Sequence, residues 1–340
     1  MKDLTIKNSK ILIFGGTGSL GKTLIKKYVE SNFVCVYSRD ESKHWTIRNE
    51  MPHSSLSFIV GDIRDRQRCK EAMLQFKPTH IILASALKHV DICERSPGES
   101  IKTNIDGISN VISIVKDDFR MLENLESVLM VSTDKACSPI NVYGMCKSIA
   151  ERIVISASSL SIPVKFIAVR YGNVLESRGS IIPLFKYQSE SCSEITVTDG
   201  RMTRYVMTLD ESVQLIDDTM SQGKSGETWI PRLSSMKVLD LAEIYSELSD
   251  KPIKMIGMRP GEKLHEDLIN SSESMRTRMV GKYFVISSSF TMPFQDSDYT
   301  MKSNASLMTK KELKRRLESL NILHKPLSQF LGKSIEELKK

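Results

Sequence analysis

The chain has 340 residues, 40% hydrophobic and 26% charged, the balance of a globular protein with a substantial core, in one large domain or two ordinary ones. Its formal net charge of +7 comes without a long Lys/Arg run, which argues against a nucleic-acid partner and suits an anionic small substrate. Its six cysteines form no CxxC pair, its histidines are scattered, and it has neither a signal-peptide core nor an apolar run of transmembrane length; a cytoplasmic protein with reduced thiols, no metal centre and no membrane contact is expected.

Residues 10–14 (KILIF) predict a first strand. Gly15, Gly18 and Gly21 follow at once and open an amphipathic helix over Lys22 to Glu30. Further strands are predicted over Phe33 to Tyr37, Leu56 to Val60, His80 to Ala84, Ser127 to Val131 and Val164 to Arg170. Helices are predicted between them, over Ser42 to Glu50, Arg66 to Phe76, about Pro97 to Lys116, and Tyr143 to Ser159. This alternation predicts an α/β fold, a Rossmann-type doubly wound parallel sheet with ligands beyond the carboxyl ends of its strands. After about residue 172 glycines and prolines interrupt the pattern, and a smaller mixed α+β C-terminal substrate lobe is expected, with chain returning to the sheet. Helices are expected over 209–222, 237–249, 309–319 and 333–340, with 286–305 irregular. The implied divisions are 1–175, 176–290 and 291–340. The cluster Lys310, Lys311, Lys314, Arg315 and Arg316 reads as the solvated face of a late helix.

The glycine turn, Gly15, Thr17, Gly18, Ser19, Leu20 and Gly21, lets backbone amides approach a pyrophosphate at a helix N-terminus. At the end of the second strand an acid binds the ribose 2′-hydroxyl of NAD, whereas an Arg accommodates the 2′-phosphate of NADP. Arg39 and Asp40 offer both; small Ser38 and nearby Lys43 tilt the expectation to NADP. Asp62 and Ile63 suit the adenine, and Ala84, Ser85 and Ala86 are small enough for backbone to lie against the cofactor.

The stretch STDKACSPINVYGMCK (132–147) carries the chemistry. Tyr143 and Lys147, four apart on a helix, lie about 5–6 Å apart at Cβ. A cation there is expected to lower the phenol's pKa, so that Tyr143 can deprotonate a sugar hydroxyl during oxidation, with Thr133 beside it. Oxidation alone has no use for Asp134 and Lys135, and the pair points to a second step. A ketone at C4 of a hexose acidifies the C5 proton; Lys135 fits the base that removes it, and Asp134 the acid that protonates the departing C6 hydroxyl. For Lys135 to act as base its pKa must fall, through desolvation or the proximity of Lys88.

The motifs ALKHV (86–90), STDKA (132–136), NVYGMCK (141–147), RYGNV (170–174), SRGSIIP (177–183), MTRY (202–205) and RPGEKLHE (259–266) together resemble the inverting UDP-N-acetylglucosamine 4,6-dehydratases, extended short-chain dehydrogenase/reductases of polysaccharide biosynthesis. The glycine spacing is similar to that family's. The resemblance runs from about residue 8 to 270. It implies a tightly held, recycled NADP, UDP-N-acetylglucosamine as substrate, UDP-2-acetamido-2,6-dideoxy-β-L-arabino-hex-4-ulose as product, and a homo-oligomer. It implies that Lys135 is the catalytic lysine, that Lys147 holds the nicotinamide ribose, and that Lys88 touches cofactor and sugar. Asn173 and Val174 would line the sugar pocket, Arg178 and Arg259 would take the diphosphate, and Glu262 would lie near the uridine. Arg204 is divided between substrate contact and an ion pair of the lobe interface; His265 and Glu266 read as a helix start. Retaining relatives tend to carry Asp-Glu in place of Asp134-Lys135, so the lysine favours inversion. The alternatives are a nucleotide-sugar epimerase of the same fold, which does not need Asp134-Lys135, and a non-catalytic dinucleotide sensor.

Overall fold

A computed structural model describes residues 5–177, 179–288, 298–327 and 330. Its strands β1 (Lys10–Phe14), β2 (Phe33–Ser38), β3 (Leu56–Val60), β4 (His80–Leu83), β5 (Ser127–Val131) and β6 (Lys165–Val169) fall where the apolar runs predict them, within a residue at either end. The first run is apolar throughout because both its faces are covered: Ile11 and Ile13 enter one hydrophobic core, Leu12 and Phe14 another on the opposite side. The sheet order is β3-β2-β1-β4-β5-β6, followed by Thr228–Pro231, Tyr283–Ile286 and Thr277–Val280. Every pairing from β3 to Thr228–Pro231 is parallel; Tyr283–Ile286 pairs antiparallel with both its neighbours. The winding direction reverses between β1 and β4, which opens a crevice at their carboxyl ends.

The helices α1 (Ser19–Tyr28), α2 (Glu41–Glu50) and α3 (Arg66–Phe76) link these strands. Asp40 and Asp65 cap α2 and α3, each accepting from the amide three residues on. α1 starts three residues earlier than the apolar periodicity predicts, directly behind Gly18. The helical region predicted over about Pro97 to Lys116 is present, with a π-helical turn inside it. α4 (Val90–Arg95) precedes it, and α5 (Pro97–Ile101) and α6 (Gly107–Asp118) are joined by a π-helical turn, Lys102–Asp106. Asn104 explains the turn: its carboxamide accepts from Leu87 N (2.9 Å) and donates to Leu87 O (2.9 Å), clamping the loop after β4. α7 (Val142–Ser156) is capped by Asn141 and packs against β5, β6 and α6.

A third core gathers Ile182, Phe185, Val197, Val206, Leu241 and Tyr245 around three small sheets. The charged helix Lys310–Ser319 buries Leu313 and Leu317 in this core and sets Lys310 against Glu243 (2.7 Å), so it is a structural element with a solvated face. Within the stretch expected to be irregular, Met301–Lys302 pairs with Asp267–Ile269. The helix expected over 333–340 lies outside the described residues.

Candidate active site

A cleft of about 720 Å³ opens along the carboxyl ends of β1, β4, β5 and β6. At one end lies the glycine turn. Gly15 has φ +84°, and a Cβ there would meet Ser85 N at 2.7 Å, so the two strand ends can approach only with glycine at this position. Gly18 caps α1 without any side-chain hydrogen bond, leaving the first amides of the helix facing the cleft. This cradle fits a dinucleotide pyrophosphate. Thr17, Ser19, Leu20, Gly21, Ile63, Ala84, Ser85 and Ala86 line the same wall.

The end of β2 separates the two candidate ribose ligands. The Asp40 carboxylate accepts from Lys43 N (3.0 Å) and pairs with Lys43 Nζ (2.7 Å), so it is engaged by its own helix. Arg39 is exposed, and its guanidinium stands 3.7 Å from Asp62. The Asp62 carboxylate is itself bound by Arg64 through the backbone amide and the guanidinium, and Ser38 Oγ lies 2.7 Å from His44 Nε2. Arg39 is thus the strand-end side chain whose charge faces outward from a loose pair.

β5 delivers Thr133 and the turn Asp134–Ala136 into the middle of the cleft. α7 rests on this turn, and a Cβ at Gly144 would stand 2.2 Å from Lys135 O, so any larger residue would push the helix off it. Lys135 Nζ lies 3.0 Å from Asp134 Oδ1 and 3.3 Å from Glu266 Oε1. Both carboxylates are buried, and Asp134 Oδ2 and Glu266 Oε2 have no hydrogen-bond partner. Burial, assisted by Glu266, raises the Asp134 carboxyl above its ordinary pKa despite Lys135. Glu266 is lowered: burial pushes it up, but Lys135, Arg204 and Lys263 outweigh this.

Lys135 departs from the expected fall. Burial pushes its pKa down, but Asp134 and Glu266 together push harder, and the net shift is upward. Tyr143 departs likewise. Burial drives its phenol up to about 12; Lys135 and a hydrogen bond with Thr133 oppose the rise, while Asp134 adds to it. Lys147 is not the cation that acts on the phenol. Its Nζ donates to Val131 O (2.6 Å), and burial lowers it to about 8.

Lys88, Asn173, Val174, Arg259 and Glu262 line the cleft with these groups. Asn173 Oδ1 is buried without a partner, and Arg259 and Glu262 share a tight turn in which Arg259 N donates to Glu262 Oε2 (3.0 Å). That turn is tied to α7, since Asn141 Nδ2 donates to Gly261 O (2.7 Å). Arg178 lies outside the described residues. Arg204 does not reach the cleft: its guanidinium donates to Thr203 O, Leu264 O and Lys263 O, and its Nε stands 3.9 Å from Glu266. His265 and Glu266 do not start a helix; they lead into the strand Asp267–Ile269, and the His265 ring bonds Thr203 Oγ1 (2.9 Å). Glu266 and Asn104 are the site's residues that sequence reasoning missed. Glu266 closes the RPGEKLHE motif, but its partner Lys135 is far away along the chain, and Asn104 bonds a loop outside its own helix, so neither role has a local mark.

Among the described residues no group of three or more His, Cys, Asp and Glu could hold a metal ion, and no helix is long and apolar enough to cross a membrane.

A family profile described as "Polysaccharide biosynthesis protein" matches residues 11–288. The chain is 38% identical over 298 residues to a UDP-N-acetylglucosamine 4,6-dehydratase (inverting) of Campylobacter jejuni, covering 86% of each protein. It is 35% identical over 286 residues to a UDP-glucose 4-epimerase of Rickettsia typhi, covering 81% of this chain and 82% of that one. The X-ray structure of Pen from Bacillus thuringiensis superposes with a TM-score of 0.86 at 32% identity, over 94% of this chain and 99% of that one.

Proposed function

The chain belongs to the polysaccharide biosynthesis family of extended short-chain dehydrogenase/reductases, and from that premise we propose that it is an NADP-dependent, C5-inverting UDP-N-acetylglucosamine 4,6-dehydratase. The observation that carries the reading is the Asp134–Lys135 pair, set in one cleft with Tyr143 and the glycine turn and backed by buried Glu266. A dehydrogenase or an epimerase needs the phenol and the dinucleotide cradle; an elimination also needs a base and an acid at the neighbouring carbons.

When bound, the dinucleotide supplies a reversible acceptor for the C4 hydrogen. Gly15, Gly18 and the start of α1 would hold its pyrophosphate, and Arg39 and Lys43 its 2′-phosphate. Tyr143 takes the proton of the C4 hydroxyl, with Thr133 as its hydrogen-bonded neighbour. The Lys135 ammonium lowers the Tyr143 pKa more than Asp134 raises it, so the phenol is most readily activated while Lys135 still carries its proton. Lys135 becomes a base by passing a proton to Asp134 Oδ1 across 3.0 Å; the free amine then takes the C5 proton, and the protonated Asp134 gives its proton to the C6 hydroxyl, which leaves as water. The raised proton affinity of Asp134 favours this exchange. Lys88, Asn173, Val174, Arg178, Arg259 and Glu262 are proposed to bind the nucleotide sugar.

Incubation with UDP-N-acetylglucosamine in deuterated water tests the reading. Loss of one water by mass spectrometry, with deuterium and inverted configuration at C5 by NMR, is expected. Unchanged mass would instead select the epimerase, the reading favoured by the Rickettsia relative. For the cofactor, Arg39→Ala is expected to weaken NADP about tenfold or more while sparing NAD, as for a lost charge-assisted hydrogen bond. Tighter binding of NAD than NADP to the unaltered protein would defeat that assignment. A homo-oligomer belongs to the same proposal: Met145 and Ile149 share an exposed apolar face of α7, near exposed Ile92 and Ile101 on the adjoining helices. Light scattering at the monomer mass would remove it.

A further inference from the structure

We propose that Glu266 is the positioning residue for Lys135: reaching in from the RPGEKLHE segment, it fixes the amine against Asp134 and sets the pH range over which that amine can act as base. The inference rests on the dehydratase reading above and deepens it.

Glu266 is 2% exposed, and Lys135 is its nearest cation, 3.3 Å from Oε1. A carboxylate serving only to join the lobe would be expected to dock on Arg204, the most rigid donor nearby. Arg204 instead donates to three backbone carbonyls and stands 3.9 Å from Oε1. Lys263 is similarly set aside: its Nζ donates to Cys137 O (2.9 Å), at the end of the Asp134 turn, and lies 4.0 Å from Glu266 Oε2. Both cations therefore screen the carboxylate without taking its hydrogen bonds, and Oε2 has no hydrogen-bond partner at all. The backbone is pinned, with Glu266 N donating to Ser303 Oγ (2.9 Å) and Ser303 N to Glu266 O (2.9 Å). This anchors one carboxylate oxygen where the Lys135 ammonium needs a second partner besides Asp134.

The charged and titratable groups facing Lys135 and Glu266 are Asp134 and Tyr143 from the catalytic segment, Arg204 from its strand, and Lys263. Glu266 keeps its charge through the cycle; the proton shared between Lys135 and Asp134 is the one that moves. With Glu266 neutral, Lys135 would lose one of its two anionic partners and release its proton at lower pH.

The test uses the holoenzyme with UDP-N-acetylglucosamine and the variants Glu266→Gln and Glu266→Asp. Glu266→Gln is expected to lower kcat about tenfold or more with KM within about twofold, and to move the alkaline fall of kcat, where Lys135 loses to solvent the proton it shares with Asp134, downward by about one to three units, the range for loss of an adjacent charge. Glu266→Asp keeps the charge and is expected to return that fall toward its original position. A second readout needs no substrate: in protein labelled with 13C at lysine Cε, the Lys135 signal, assigned through Lys135→Met, is expected to titrate at lower pH in Glu266→Gln. A folded Glu266→Gln protein with the alkaline fall and the Lys135 titration unmoved would overturn the proposal, leaving Glu266 a structural residue. Should Glu266→Gln not fold, Glu266→Met carries the test, since it likewise removes the charge and the Lys135 titration must still move to lower pH. If the unaltered protein does not dehydrate the substrate, the dehydratase reading fails, and the Lys135 titration still decides the role of Glu266.

Discussion

Two buried charge clusters lie at the turn Asp134–Ala136, each with one cation between two carboxylates. In the first, Arg170 sits between Glu151 and Glu273, and all five of its N–H donors are used: on Glu151, on Glu273 and on Leu268 O. In the second, Lys135 sits between Asp134 and Glu266, and one oxygen of each carboxylate is left without a hydrogen bond. The difference lies in the donors. A planar guanidinium satisfies two carboxylates at once, whereas an ammonium offers three donors on a mobile stem. The Arg170 cluster therefore holds a single protonation state, with Glu273 lowered to about 2 because Arg170 outweighs the effect of burial. The Lys135 cluster has its acid pushed up and room to exchange a proton, which suits chemistry better than stability.

Substitutions at the two cations should separate these roles most sharply. Lys135→Met is expected to lower kcat about 10³-fold, within the range for loss of a general base; a variant keeping a tenth of the activity would show that the amine is not the base. Arg170→Met is expected to strand two buried carboxylates and cost about 3–5 kcal/mol of stability, read by chemical denaturation, while the folded fraction keeps its turnover. Loss of turnover with unchanged stability would reverse the assignment. Acid titration gives a smaller effect. Glu273 has its folded pKa depressed, so its contribution is complete above the ordinary carboxyl value of 4.5 and is lost as pH falls toward about 2. Glu273→Gln should flatten the loss of Tm across that window. The smallest change in stability is expected at Asp134. Its folded pKa is raised, so its ionised form opposes folding at neutral pH, and Asp134→Asn should raise Tm slightly while abolishing dehydration. A fall in Tm would mean that Asp134, like Glu273, is there for stability.

The layout of the sheet and the place of the cleft were legible because each signal is local. An apolar run buried on both faces marks a central strand, three glycines mark the turn after it, and Tyr143 with Lys147 needs only a helix. The run Lys10–Phe14 and the segment Arg66–Phe76 match residue for residue. Helix starts were less legible. α1 begins at Ser19 because its N-terminus is defined by a backbone turn, not by the apolar spacing that follows. The π-turn at Lys102–Asp106 escaped because Asn104 is engaged by a loop that no helical periodicity can reveal.

The sequence by itself determined the parallel α/β sheet, the dinucleotide turn, and the presence of an acid and a base beside the phenol. Tertiary structure decided which charges those groups feel. Glu266 lies far along the chain yet 3.3 Å from Lys135, and together with Asp134 it turns an expected downward pKa shift into an upward one. Lys147, four residues from Tyr143, donates to Val131 O and leaves the phenol to Lys135. The physical reason is range. Secondary structure follows from neighbours along the chain, whereas a pKa follows from burial and from charges within a few ångströms, whichever part of the chain supplies them.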